Sequence, residues 1–314
     1  MIEIANAPPL ARYRFRVRAT QPLKLPDFAG SMLRGAFGRS LRKLACMTRR
    51  PECKGCPLIT TCPFPMIFET PPIEDHKLQR FSQMPNPYVI EPPGGGWRRC
   101  EPGDEFEFAM VLIGEAINQL PLIILAWERA LENGLSKNNS RCQLKEVWLE
   151  SPEQRIYQSG PDAQIQDHNA AIPPPDSTAE SVTLALKTPL RLQKQGKLVG
   201  RQELDARTFC TALARRLQLL NDIHNPGVSL DFERLISAAE SLRLESDLKW
   251  WDWTRYSNRQ AQSMTLGGLT GKLTLTGDLK PLIGLLHLGQ WLHLGKNATF
   301  GLGQYQLFNN KEPC

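Results

Sequence analysis

With 314 residues, 41% of them apolar and 22% charged, the chain is long enough for two domains that each close a core, and no apolar run approaches the roughly 18 residues needed to span a bilayer. Its N-terminus lacks the basic, then apolar, then small-residue order of an export signal, so a soluble cytoplasmic protein is expected and its eight cysteines are not read as disulfides. The formal charge of +6 is unevenly spread: residues 1–50 hold eleven Lys or Arg against Glu3 and Asp27, which is +9 there and −3 elsewhere. Clustered cations suit a phosphate backbone, because each neutralised phosphate releases condensed counterions; a solvated basic surface is the plainer alternative.

In chain order, Arg12-Tyr-Arg-Phe-Arg-Val-Arg18 alternates with period two. It predicts a strand with four arginines on a face that meets something anionic, and Tyr13, Phe15 and Val17 on a face that packs. Asp27 is positioned to cap a helix whose stripe is Leu33, Phe37, Leu41 and Leu44, with Arg39, Arg42 and Lys43 on the other side. Strands follow at Tyr88–Glu91 and Glu105–Ile113 around a Pro-Gly loop at 92–96, then a helix over Pro121–Glu132 and a strand over Leu144–Leu149. Strand, helix, two strands, helix, strand is the split unit of a ferredoxin-like fold.

Residues 159–177, rich in Pro, Gln, Asp and Ala with three prolines at Pro173–Pro175, cannot pack as a regular element and mark a boundary. The expected domains are therefore 1–170, with an insertion at 46–63, and 171–314. In the second, Ser181–Leu192 reads as strand, Ala206–His224 and Phe232–Leu242 as helices, Leu269–Thr276 as a half-buried strand with a hydroxyl-bearing face, Pro281–Leu294 as helix and Thr299–Phe308 as strand. The second half is expected to repeat the topology of the first, giving an α+β protein of two tandem ferredoxin-like domains.

Cys46, Cys53, Cys56 and Cys62 follow the spacing C-x6-C-x2-C-x5-C. Four thiols so close together point to one metal, structural zinc first and an iron–sulfur cluster second, with unligated thiols as the remaining reading. Four protein ligands leave no open position, so such a metal would fold a loop and not activate water. Cys100, Cys142, Cys210 and Cys314 have no partner at ligand spacing.

His293-Leu-Gly-Lys-Asn-Ala-Thr-Phe-Gly-Leu-Gly303 runs from a helix into a glycine-rich loop. Gly295 suits the left-handed helix end; Gly301 and Gly303 would let a sugar-phosphate backbone approach main-chain N–H groups, Lys296 adding charge and Thr299 a hydroxyl. A simple turn into a strand is the alternative. These residues, with Leu33-Arg-Gly-Ala-Phe-Gly38 and Arg255-Tyr-Ser-Asn-Arg-Gln260, carry a resemblance to the RAMP-superfamily CRISPR endoribonucleases that process precursor CRISPR RNA. The four-cysteine loop resembles an insertion found in one branch of that family. The resemblance implies two ferredoxin-like (RRM-like) domains with repeat RNA in the groove between them, and cleavage without catalytic metal.

That reaction is attack by a ribose 2′-OH on the adjacent phosphate, leaving a 2′,3′-cyclic phosphate and a 5′-OH. It needs in-line positioning, a proton acceptor or donor near neutrality and charge stabilisation. Family members commonly place a histidine in or near the first helix; none stands between Asp27 and Ala45. Of the five histidines, His293 stands directly before the loop and is the expected acid–base group, with a helix-capping role as the alternative. His76, beside Asp75, and His168 read as surface residues, His224 as a helix-end residue and His287 as half-buried. Tyr256, Arg255, Arg259 and Lys296 are the substitutes should His293 not serve. Arg34, Arg39, Arg42, Arg259, Lys296, Thr299, Gly301 and Gly303 are the expected RNA contacts, and Trp250, Trp251 and Trp253 either stack on bases or fill a core. Two other functions fit parts of the pattern: a guide-RNA-binding subunit of a CRISPR effector complex that does not cut, and a zinc-ribbon protein acting on DNA.

Overall fold

The computed structural model describes residues 7–73, 84–94, 98–176, 179–252 and 266–309, and the backbone alone at 254–257 and 262–265. It divides into two compact units: one holds Pro8–Pro173 with Ile223–Asn225, the other Pro174–Asp222 and the chain from Pro226.

In the N-terminal unit β1 (Leu10–Ala19) lies between β5 (Glu105–Ile113) and β6 (Cys142–Leu149), with β3 (Tyr88–Glu91) and β7 (Gln154–Gln158) outside them, in the antiparallel order β3-β5-β1-β6-β7. β2 (Leu23–Leu25) and β4 (Arg98–Cys100) form a separate ribbon. The alternation of β1 decides its two faces. Tyr13, Phe15 and Val17 are fully buried, while the arginines between them point away. Helices α1 (Gly30–Ala45) and α3 (Leu120–Asn133) pack together over the buried face, with the short α2 (Pro63–Phe68) beside α1. Trp127 of α3 sits 4.5 Å from Phe108 and 5.0 Å from Phe37, and its indole N–H donates to Met110 Sδ at 3.4 Å. Truncating a buried aromatic at such a junction costs about 3–5 kcal/mol. The expected Asp27 cap is not used: Ala29 is the N-cap of α1 and no side chain caps it.

The C-terminal unit repeats the arrangement. Its sheet runs β11 (Arg243–Trp251), β14 (Gly268–Thr276), β8 (Ser181–Leu190), β15 (Tyr305–Asn309), every pair antiparallel. Apolar residues line α4 (Ala206–His224) and α6 (Ile283–Leu292); α5 (Phe232–Glu240) is capped by Asp231, which accepts from the Arg234 N–H at 3.0 Å. Two hairpins decorate it, β9 (Gln193–Lys194) with β10 (Lys197–Leu198), and β12 (Thr254–Ser257) with β13 (Gln262–Thr265). In each unit the first strand of the split unit pairs with its third and fourth, so the protein is two tandem ferredoxin-like domains. The expected hydroxyl face exists: Thr183 and Thr274 side chains meet at 3.0 Å, Ser181 and Thr276 at 3.3 Å. The last strand starts at Tyr305 and not at Thr299, because Ala298–Phe300 is a 3₁₀ turn and Gly301 and Gly303 have φ of +102° and +71°, which no strand accommodates. The last helix is likewise shorter than Pro281–Leu294, spanning Ile283–Leu292.

Candidate functional site

Strand β1 offers the densest row of cations, and its anionic partners lie in the same unit. Arg12 bridges Glu91 (3.1 Å) and Glu150 (3.0 Å), Arg14 pairs with Glu153, Arg16 bridges Glu107 (3.0 Å) and Glu146 (2.9 Å), and Arg18 pairs with Glu105 (2.8 Å). The Trp148 indole, Arg155 and Arg16 hold the Glu146 carboxyl below the usual range, and the Glu107 hydrogen bond raises Arg16. The arginine face does meet anions, as the alternation predicts, but they are carboxylates of the same unit; neutralised cations give little to a phosphate chain.

Helix α1 carries three of the expected RNA contacts to different fates. Arg39 is exposed. Arg34 is half-buried, donating to Tyr88 Oη at 3.1 Å with its guanidinium 4.4 Å from the Phe68 ring. Arg42 donates to the carbonyls of Arg50 (2.5 Å) and Pro51 (2.6 Å) and lies 5.5 Å from the Phe64 ring. It clamps the cysteine loop, so its guanidinium is engaged within the fold. Exposed cations that the sequence pattern did not single out follow in the loop: Arg49, Arg50 and Lys54. Their position between the cysteines was the available signal.

Cys46 is the C-cap of α1 and Cys62 the N-cap of α2. The Thr48 hydroxyl lies 3.5 Å from Cys56 Sγ and 3.9 Å from Cys46 Sγ, and Cys62 Sγ is 3.7 Å from the Ala45 carbonyl. Burial pulls the Cys46 thiol upward, but Thr48, the Arg49 main chain and Arg42 outweigh it and leave the pKa lowered; Thr48 and the Leu58 main chain lower that of Cys56. Burial and Glu69 raise Cys53. All four side chains line one depression, although among the described residues no three His, Cys, Asp or Glu groups stand at coordination geometry.

In the C-terminal unit the glycine-rich loop is stitched to the end of β8. Lys296 N–H donates to Arg191 O at 2.8 Å, Gly303 N–H to Pro189 O at 3.0 Å, Gly301 N–H to Ala298 O at 2.9 Å, and the Thr188 hydroxyl to Gly301 O at 2.7 Å. The main-chain donors of Gly301 and Gly303 are thus already engaged inside the fold. A Cβ on Gly303 would lie 1.8 Å from Leu294 O, and one on Gly295 2.5 Å from Arg191 O. These glycines serve close backbone packing. Lys296 is exposed and Thr299 half-buried on the closed loop.

His293 takes a φ of +54° as the C-cap of α6 and is 0% exposed. A general acid or base must reach the proton it moves, and this ring is covered in the folded chain. The role expected from its place in the sequence therefore conflicts with its burial. Beneath the same helix end, Arg216 donates to Leu292 O at 2.7 Å, its pKa pushed down to about 10 by burial. The other histidines are no closer to such a role: His168 joins Tyr13 Oη at 2.9 Å, His287 packs 5.1 Å from Trp291, and burial lowers His224 to about 4. His76 lies outside the described residues, as do Arg259, Trp253 and the side chains of Arg255 and Tyr256, whose backbone forms β12. Trp250 and Trp251 are 43% and 37% exposed at the end of β11, beside exposed Lys249, so they fill no core.

A family model described as an N-terminal domain (AF_1859_N) matches residues 8–170, and the model of the CRISPR-associated endoribonuclease Cas6 matches residues 184–305. Among solved structures, a Cas6 product complex shares the fold with a TM-score of 0.57 at 15% identity, over 96% of this chain and 100% of that one. Thermus thermophilus Cas6 does so at 0.51 and 13% identity, over 96% and 99%. A partial Cas6-RT-Cas1–Cas2 complex reaches 0.54 at 15% identity, over 98% of this chain and 47% of that one. No curated protein matches the sequence.

Proposed function

Because the chain joins an AF_1859_N domain to a Cas6 domain and so belongs to the CRISPR-associated endoribonucleases of the Cas6 type, we propose that it cuts precursor CRISPR RNA within the repeat by intramolecular attack. The ribose 2′-oxygen bonds to the neighbouring phosphorus, the bond to the 5′-oxygen breaks, the 2′ proton is taken up and the departing 5′-oxygen gains one. The products are a 2′,3′-cyclic phosphate and a 5′-OH. The nucleophile belongs to the substrate, so the step calls for no metal-activated water.

The observation that carries this reading is the loop 295–303, which holds Lys296 exposed on a backbone fixed to β8, within the segment that matches the Cas6 model. A fixed cation placed against a phosphoryl oxygen stabilises the charge that builds there. Thr299 adds a hydroxyl donor at the same loop. Tyr256 orients the 2′-OH, Arg255 and Arg259 share the phosphate charge, and Arg34 and Arg39 hold flanking RNA. His293 acts through the loop whose helix end it closes, and not by touching the RNA. The exposed Trp250 and Trp251 offer ring faces to unpaired bases. Other CRISPR effector subunits are the expected protein partners.

Purified protein mixed with its repeat RNA in EDTA tests the reading. Cleavage that leaves a cyclic phosphate is the expected outcome; tight binding with no product would make the protein a guide-RNA-holding subunit.

A further inference from the structure

The loop between α1 and α2 has order with almost no core: only Cys53 and Cys62, both partly buried, pack against the core of the unit. From Cys46 to Cys62 not one residue is buried, yet the backbone is tightly wound. Cys56 N–H donates to Cys53 O at 3.0 Å around Gly55, whose φ is +70°; Ile59 N–H donates to Cys56 O at 3.1 Å, and Cys62 N–H to Leu58 O at 2.8 Å. Each of these three turns begins or ends on a cysteine. A segment that buries this little apolar surface does not offset the entropy of ordering its backbone, roughly 1–2 kcal/mol per residue, and commonly relies on a cross-link.

The cross-linking groups are in place. The four thiols line one depression, two of them already joined through Thr48, and the segment starts and stops at the ends of two helices that pack on each other. We propose that Cys46, Cys53, Cys56 and Cys62 bind one thiolate-ligated metal centre. Two occupants share that chemistry, a zinc ion and an iron–sulfur cluster, since both take four cysteine sulfurs. Each thiol loses its proton as the metal enters, and the centre is then net negative. Its surroundings fit that sign: Arg42 and the loop's Arg49, Arg50 and Lys54 stand around it against Glu52 and Glu69. The sulfurs move inward from their hydrogen bonds with Thr48 and the Ala45 carbonyl. The cross-link ties the end of α1, with Arg39 and Lys43, to α2.

The test uses the full chain, purified anaerobically and analysed for zinc, iron and acid-labile sulfide. About one zinc per chain identifies the ion, and about four iron with matching sulfide identifies the cluster; either supports the centre. Should metal be lost on purification, reduced protein titrated with zinc, or with ferrous iron and sulfide, is to regain it at that stoichiometry. Mass mapping after alkylation supplies a readout independent of folding: metal slows modification of these four cysteines about tenfold or more, and chelation restores it. Cys53→Ser with Cys56→Ser brings metal content to background. Four thiols that alkylate alike with and without metal, or that pair as disulfides in the isolated protein, would overturn the proposal.

Discussion

The two units share one topology but close it differently between their last helix and last strand. In the N-terminal unit, Gly134 (φ +96°) ends α3 and a four-residue turn is held by a Leu135–Ser140 bridge. In the C-terminal unit, Gly295, Gly301 and Gly303 wind a longer loop against Thr188, Pro189 and Arg191 of the first strand and its continuation. Each link also contains a Lys-Asn pair, Lys137-Asn138 and Lys296-Asn297. Glycines and a lysine after a helix therefore recur in both units and do not by themselves distinguish one loop from the other. What sets the C-terminal loop apart is the anchoring of the lysine's own backbone to Arg191, directly after β8.

Substitutions at matched positions bring that difference out. Gly303→Ala forces a Cβ to within 1.8 Å of Leu294 O at positive φ and is expected to cost at least about 3 kcal/mol, abolishing cleavage. Gly134→Ala meets Asn139 O at 2.2 Å and loses comparable stability, but below its lowered melting point it still cuts RNA. Thermal melts combined with cleavage assays separate the two.

A similar contrast divides the cations. Arg12→Ala removes the partner of Glu91, a pair whose side chains are 14% and 8% exposed, and is expected to cost about 2–3 kcal/mol in denaturant unfolding. Lys296→Ala leaves stability within about 0.5 kcal/mol but weakens RNA binding and lowers the slope of log affinity against log salt by about one. Arg16→Ala, at an already neutralised position, leaves that slope unchanged.

Acid acts through His224. Its pKa falls from 6.5 to about 4 in the folded chain, so below 6.5 the unfolded chain takes up the proton more readily. The stability contributed by the neutral ring is present above 6.5 and is lost as pH falls toward 4. His224→Gln is expected to flatten this part of a plot of melting temperature against pH.

Local pattern made most of the fold legible. The alternation of β1 and the apolar stripe over Ala206–His224 each specify an element without help from distant residues, and the repeated order of elements specifies the topology. The electrostatics were not legible. The carboxylates that neutralise β1 come from Glu91, Glu105, Glu107, Glu146, Glu150 and Glu153, gathered only when β3, β5, β6 and the chain after it assemble. The burial of His293 was not legible for a related reason. Adjacency to the loop says nothing about which way a helix-ending residue at φ +54° turns, and this one turns inward.

A repeat RNA in which one ribose, the one 5′ of the cut phosphate, is replaced by deoxyribose tests the proposed chemistry most directly. Cleavage at that phosphate should stop while affinity stays within about twofold, since one hydroxyl among many contacts is lost. Continued cutting at the same phosphate would show that some other nucleophile attacks it, and would contradict the intramolecular mechanism.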